Sequence, residues 1–391
     1  MNKKQPHIGL YLAAKPEAGG IYQYALSIID ALKTTPNIRV TCFVEDPNWQ
    51  RHIPDYFHLH VNSSSKLKKG VGRIVRKVSF SLRNKQAGFF DRSVTSINKS
   101  DCDLVIFPSQ DSLTYQINKP ALTAVHDLMH RYESHFDEYQ HGIYNERELH
   151  YQAICENARG ILVDSELGKQ HVIESYNVPA TKVHVLKFVP PFYLKSSPAV
   201  DIKSKYNLPD EFIFYPAQFW EHKNHKNLVR AVKILKDQGI KIHTVFIGSA
   251  KNNYDCVIQL IDDLKLKDEI SVLGYIPLNE IVSFYKQATA MIFVSLAGPT
   301  NIPPVEAMML GCPAIVSDAY AMPEQVGEGA LLVDAKSPED IAKKIKLLHQ
   351  DDRLRETLIE KGFEQIKKWD QDAFNQRLAE IIQLNLEKKQ S

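Results

Sequence analysis

The sequence predicts an α/β protein made of two domains, each built on a parallel sheet, and three observations carry that expectation. Short apolar runs rich in β-branched and aromatic residues alternate with helical patterns through the first half of the chain. A second series of the same kind starts past residue 208. Between the two lie Pro190 and Pro191, followed by the polar stretch LKSSPAVDIKSKYNLPDE, which reads as a linker near 190–208. At 391 residues the chain also exceeds the size at which a single core keeps growing.

In chain order, the strand-like runs of the first series are 8–13, 38–44, 104–107, 122–125, 161–163 and 183–189. Those of the second are 212–215, 243–247, 270–273, 291–294, 314–317 and 331–333. Alternation of such runs with helices predicts parallel sheets covered on both faces. Residues 227–238 read as one of the covering helices, because Leu228, Ala231, Val232 and Leu235 follow the i, i+3, i+4, i+7 spacing of a buried face. Another helix begins at Ser337, whose hydroxyl suits a cap while Pro338, Glu339 and Asp340 suit a first turn. The expected domains are 1–190 and 191–369, with a terminal helix at about 370–391 packing back on the first. Open parallel sheets bind ligands beyond the C-terminal ends of their strands, so a groove between the domains is the expected site.

Composition narrows the class. Hydrophobic residues make up 44% and charged residues 24%, as in ordinary globular proteins. A net charge of +2 gives no case for nucleic-acid binding. The five cysteines are far apart and odd in number, which fits reduced thiols better than a disulfide framework or a zinc knuckle. No stretch approaches the roughly 20 apolar residues of a membrane span, and the opening MNKKQPHIGLYLAA lacks the apolar core of an export signal, so a cytoplasmic location is expected.

The most informative segment is SLAGPTNIPPVEAMMLGCPAIVSD, residues 295–318, which reads as strand end, loop, helix and next strand. Proline is pre-set for the first helical positions, so Pro303 and Pro304 mark a helix that begins just before Glu306. The N–H groups of a first turn, with the helix dipole, form a site for a diphosphate. Glu306 beside an anion is unfavourable unless it reaches past the phosphates to accept hydrogen bonds from ribose hydroxyls. The plainer reading is an acid that stabilises a helix N-terminus.

This segment resembles the signature of glycosyltransferase family 4, a retaining GT-B family with two Rossmann-like domains facing across a cleft. In that signature two glutamates flank a Gly-Phe-Gly-Leu-Pro-Pro-like stretch; the second matches Glu306 and the first falls on Gly298. The resemblance implies donor contacts from Thr300, Asn301, Ile302 and Pro303 in place of the missing acid. YPAQFWEHKNHKNL, residues 215–228, resembles the family's Gly-Arg-x(4)-Lys-Asn element, where the two cations neutralise the donor diphosphate. Lys223 matches the lysine, Gln218 stands at the arginine, and His222 or His225 is a candidate to compensate. LGYIPLNEIVSFYKQA, residues 273–288, matches a third element and puts Tyr275 and Ile276 near the nucleotide base.

In the first domain, Ala18-Gly19-Gly20 occupies the loop that the resemblance expects to touch donor phosphate and acceptor. His126, at the end of a strand in VHDLMHRYE, matches a histidine that hydrogen-bonds the transferred sugar. His126, Lys223 and Glu306 are the expected catalytic set.

The activity so implied is transfer of a sugar, as a hexosyl group of mannosyl or rhamnosyl type, from a nucleoside diphosphate sugar to a hydroxyl of a saccharide or lipid-linked acceptor, with retention. Bacterial surface polysaccharide or lipopolysaccharide synthesis is the implied setting. No cofactor or metal is expected, because helix N–H groups and Lys223 take up the charge of the departing diphosphate. Asp101-Cys102-Asp103 spells a metal-binding DxD but precedes a strand, at the sheet edge opposite the ligand side; His126 and His130 lack the glutamate of a zinc-protease pattern. No G-x-G-x-x-G follows the first strand of either domain, which argues against a nicotinamide enzyme. The replacement of an acid by Gly298 and an arginine by Gln218 leaves a non-catalytic nucleotide-sugar-binding partner subunit as the alternative. Residues 64–88 hold eight lysines and arginines and no acid, with apolar residues at helical spacing, which predicts peripheral contact with an anionic membrane at the inner face of the plasma membrane or with a lipid-linked pyrophosphate.

Overall fold

Strand β1 (His7–Leu12) is buried at every position, as a central parallel strand must be when helices cover both faces of its sheet. In the computed structural model, which describes residues 5–15, 19–62, 91–196 and 198–387, Ile8 of β1 pairs with Val40 of β2 (Arg39–Val44) on one side and Leu104 of β4 (Leu104–Phe107) on the other. The chain divides into two compact units, 1–128 with 142–188 and 371–391, and 129–141 with 189–370.

The first unit is a seven-stranded parallel sheet in the order β3-β2-β1-β4-β5-β6-β7. It is completed by β3 (His58–Val61), β5 (Ala121–Ala124), β6 (Gly160–Val163) and β7 (Val183–Val185). Every run read as a strand forms one; β3, an exposed edge strand, is additional. The helix Gly20–Thr34 buries Tyr24, Ile28, Ile29 and Leu32. Against it lies the terminal helix Gln371–Glu387, where Gln371 donates to the Ser27 carbonyl at 3.2 Å and Phe374 meets the Tyr24 ring edge-on. Asn385 of that helix sits so close to β6 that a Cβ on Gly160 would lie 2.7 Å from its Oδ1. A side chain at residue 160 would therefore have to displace the Asn385 and Leu122 side chains.

The second unit is a six-stranded parallel sheet in the order β10-β9-β8-β11-β12-β13. Its strands are β8 (Phe212–Pro216), β9 (His243–Ile247), β10 (Ile270–Gly274), β11 (Ala290–Phe293), β12 (Ala314–Ser317) and β13 (Leu331–Val333). The helix His225–Asp237 buries the predicted stripe of Leu228, Ala231, Val232 and Leu235. Ser337 caps the helix Pro338–Gln350 by accepting the Asp340 N–H at 3.1 Å. Strand order reverses between β8 and β11, so the loops leaving these neighbours lie side by side where open parallel sheets bind ligands.

Among the described residues no helix is long and apolar enough to cross a membrane. The basic segment 64–88 lies outside the described residues.

Candidate functional site

The loop after β8 is shaped by backbone contact. A Cβ on Gly248, whose φ is +154°, would overlap the Ala217 carbonyl. The Gln218 amide oxygen accepts from the Trp220 indole N–H at 3.0 Å, so the residue at the expected arginine position supports its own loop. Glu221–Lys223 then make one 3-10 turn, closed by Asn224 in the left-handed conformation at φ +62°. The Asn224 amide donates to the carbonyls of Val294 at 3.0 Å and Ala335 at 2.7 Å, tying this turn to the loop after β11.

Lys223 is thereby aimed along that second loop. Its ammonium is 3.0 Å from Asn301 Oδ1, 3.3 Å from Ser295 Oγ and 5.1 Å from the centre of the Phe293 ring. The two side-chain oxygens orient the ammonium as acceptors, and the ring face adds a cation–π contact. Asn301 is itself clamped: its backbone N–H donates to Gln325 Oε1 at 3.1 Å and its carbonyl accepts from Gln325 Nε2 at 2.8 Å. Gly298 has φ +107°, and a Cβ there would lie 3.2 Å from Asn301 Nδ2. The position that lacks the expected glutamate is thus one whose backbone favours glycine.

The helix Ile302–Leu310 follows, with Asn301 as its N-cap residue. Its start corrects the sequence expectation. Pro303 and Pro304 take the second and third helical positions and carry no N–H, and the Asn301 N–H is engaged by Gln325. The first turn therefore offers fewer donors than a proline-free one. Thr300, Ile302 and Pro303 are partly buried around the cap.

Glu306 also differs from expectation. It is 6% exposed, and its two oxygens are taken by tyrosines: Oε1 accepts from Tyr193 and Oε2 from Tyr285 at 2.5 Å. The Tyr285 hydroxyl also lies 3.4 Å from the Pro303 carbonyl. Burial pushes the Glu306 carboxyl above its usual range, and the two hydroxyls partly counter this. In this arrangement the side chain braces the helix start from within and does not reach towards a ribose.

Of the base candidates, Tyr275 is 68% exposed, whereas Ile276 is 4% exposed within the core of the unit, so the Ile276 side chain presents no face to a base. His225 is fully buried and stacked on Phe219; burial lowers its pKa to about 3, so it is neutral and supplies no second cation. His222 remains, bonded through Nδ1 to Glu138.

In the first unit, Gly19 caps the helix Gly20–Thr34 with φ +58°, and Gly20 is the first residue of that helix. His126 follows β5, stacked on Phe188 and edge-on to Tyr24. Its Nε2 is 2.9 Å from the Pro108 carbonyl, which only accepts, so Nε2 carries the hydrogen. Burial lowers the ring's pKa, partly offset by Pro108 and Asp127, which leaves a neutral ring with Nδ1 as an acceptor suited to a sugar hydroxyl. Asp101 pairs with Arg39 and His7, and Asp103 accepts the His7 N–H at 2.8 Å, so the DxD sequence is engaged in holding the start of β1. Among the described residues no three His, Cys, Asp or Glu are grouped to hold a metal ion.

Sequence reasoning gave no role to Ser295, Gln325, Tyr193, Tyr285 or Glu138, which act as partners of the residues it singled out.

Two parallel-sheet halves of this topology are the GT-B fold of glycosyltransferases. Anabaena HepE, in a structure with UDP and glucose, aligns at a TM-score of 0.73 and 16% identity over 97% of this chain and 99% of its own. Residues 198–365 match the family of glycosyl transferases group 1. The chain is 26% identical over 231 residues to O-antigen chain mannosyltransferase B of Escherichia coli, covering 58% of this chain and 60% of that protein. It is 29% identical over 192 residues to O-antigen chain mannosyltransferase RfbU of Salmonella typhimurium, covering 48% and 51%. The chain thus spans 60% and 51% of the lengths of these relatives.

Proposed function

We propose that this protein transfers a hexosyl group, of mannosyl type, from a nucleoside diphosphate sugar to a hydroxyl of a saccharide or lipid-linked acceptor during surface polysaccharide synthesis at the cytoplasmic face of the membrane. The observation that carries the reading is the Lys223 ammonium held by Asn301 and Ser295 at the switch point of the second sheet. Breaking the bond from the anomeric carbon to the donor oxygen sends its electron pair to the diphosphate, and a cation fixed beside it stabilises that growing charge. The two relatives, both O-antigen chain mannosyltransferases, support the mannosyl class.

Retention is what the resemblance to glycosyltransferase family 4 implies, and the carboxylates near the site bear on the route to it. Gly298 offers no carboxylate and Glu306 is enclosed by tyrosines, so neither forms the pair that a double displacement needs. The acceptor oxygen instead bonds to the anomeric carbon on the face the diphosphate leaves, and the acceptor proton passes to a leaving phosphate oxygen. No metal is required, because Lys223 supplies the charge. His126 Nδ1 accepts from a hydroxyl of the transferred sugar, and Tyr275 lies nearest the base.

Thermal-shift titration with GDP, UDP and dTDP, followed by turnover of the matching hexose donors and NMR of the product's anomeric carbon, tests this. Stabilisation by one nucleotide and a product of retained configuration are expected; no stabilisation, or inversion, overturns it. The alternative of a non-catalytic nucleotide-sugar-binding subunit draws on Gln218 and Gly298. It predicts nucleotide binding without turnover under any acceptor.

A further inference from the structure

Residues 129–141 follow β5 of the first unit in sequence but pack within the second. Met129, Phe136 and Tyr139 form a small apolar cluster with Ala297, joined by Leu296 and Tyr320. Ala297 and Leu296 belong to the loop after β11, the loop that ends in Asn301.

Two carboxylates of the segment grip the supports of that loop at its two ends. Glu138 Oε1 faces His222 Nδ1 and accepts the His222 N–H at 3.4 Å, while Oε2 accepts from Asn252 at 3.0 Å. The His222 carbonyl in turn accepts the Leu296 N–H at 2.7 Å. At the other end, Glu133 accepts from the Tyr320 hydroxyl, and the Ala321 N–H next to Tyr320 donates to the Pro299 carbonyl at 3.0 Å. Leu296 and Pro299 bracket Gly298, and His222 immediately precedes Lys223.

We propose that residues 129–141 are a strap that sets the donor-diphosphate loop, with Glu138 and Glu133 as its positioning residues. The inference rests on the donor reading of Lys223 and Asn301. Neither glutamate touches the donor. Each fixes a residue whose backbone bonds the loop, and a misplacement of the loop by a fraction of an ångström is enough to weaken contacts of defined geometry. A carboxylate only accepts hydrogen bonds, so His222 Nδ1 carries a hydrogen towards Glu138. A glutamine at that position keeps an acceptor for His222 and gives up only the Asn252 contact, since the Asn252 oxygen stays with the Glu221 N–H at 3.1 Å. Position and charge are therefore separable.

The test is calorimetric titration of GDP and UDP into the full chain, well below its unfolding midpoint, for the wild type, Glu138→Ala, Glu138→Gln and Tyr320→Phe. Glu138→Ala is expected to weaken nucleotide binding about tenfold, and Glu138→Gln to stay within about threefold of the wild type. Tyr320→Phe removes one hydroxyl from the opposite end, keeps the ring in its cluster, and is expected to weaken binding by about threefold should Glu138→Ala prove unable to fold. Wild-type affinity in both Glu138→Ala and Tyr320→Phe overturns the strap, and so does a Glu138→Gln as weak as the alanine variant. A wild type that binds neither nucleotide removes the donor reading itself, and the inference with it.

Discussion

Lys223 and Asn301 are 78 positions apart in sequence, yet the lysine ammonium lies 3.0 Å from the asparagine side-chain oxygen. The asparagine oxygen orients the ammonium without bringing a charge of its own. Asn301→Asp puts a carboxylate where the amide oxygen stands, converting the hydrogen bond into a part-buried ion pair. Folding stability is expected to hold or rise, while affinity for a nucleoside diphosphate falls by about tenfold or more because the carboxylate cancels the charge meant for the phosphates. Lys223→Ala is expected to weaken the same binding by about 10- to 100-fold, the worth of a charge-assisted hydrogen bond. Calorimetric titration with denaturant unfolding checks both. Tighter nucleotide binding by Asn301→Asp would refute the electrostatic account.

Gly298 has a backbone conformation that suits no other residue well. Placing there the glutamate of the signature that this segment resembles is therefore not a repair. Gly298→Glu is expected to cost about 1–3 kcal/mol through the left-handed φ, and its Cβ crowds the Asn301 amide from 3.2 Å. Turnover should drop along with stability. A gain in turnover from this substitution would mean that the loop accommodates the acid by moving.

Legibility from sequence divides along the same line. The sheets were readable because a parallel strand buried on both faces is a continuous apolar run, as in β4 and β12, while β3 escaped because its edge position leaves His58 and His60 at the surface. Lys223 was singled out through the resemblance of residues 215–228 to an element that carries an arginine and a lysine. The prolines gave the helix start to within a residue, yet the same rings remove the donors that a helix start was expected to offer. The fate of Glu306 was not readable, because Tyr193 and Tyr285 reach it from 113 and 21 positions away. Glu133 was still less so, with Tyr320 lying 187 positions on.

The Glu306 arrangement makes a prediction of its own. Tyr193→Phe removes one of two hydroxyls from a buried carboxylate and is expected to destabilise the fold by about 1.5–3 kcal/mol, with little change in nucleotide affinity. Tyr285→Phe should behave alike, and the two losses should not add, since each hydroxyl is worth more when the other is gone. Denaturant unfolding of both single variants and the double variant measures this. A Tyr193→Phe protein of unchanged stability and sharply reduced affinity would return Glu306 to the ligand.

The strap leaves a signature in acid. Burial pushes the Glu138 carboxyl up, but hydrogen bonds from His222 and Asn252 outweigh it and hold the pKa at about 2, against 4.5 for the free side chain. Between these values the unfolded chain binds more protons at this residue than the folded one, so stability rises with pH across that window. The contribution is complete above pH 4.5 and is lost as the pH falls towards 2. Glu138→Gln has no proton to gain there. Its loss of stability between pH 7 and pH 3 is therefore expected to be smaller than the wild type's, by about 1–2 kcal/mol, with carboxylates common to both proteins cancelling in the comparison. Urea unfolding of the two proteins at both pH values reads the difference directly. Equal acid sensitivity would place Glu138 in water rather than against His222, and the strap would lose its principal contact.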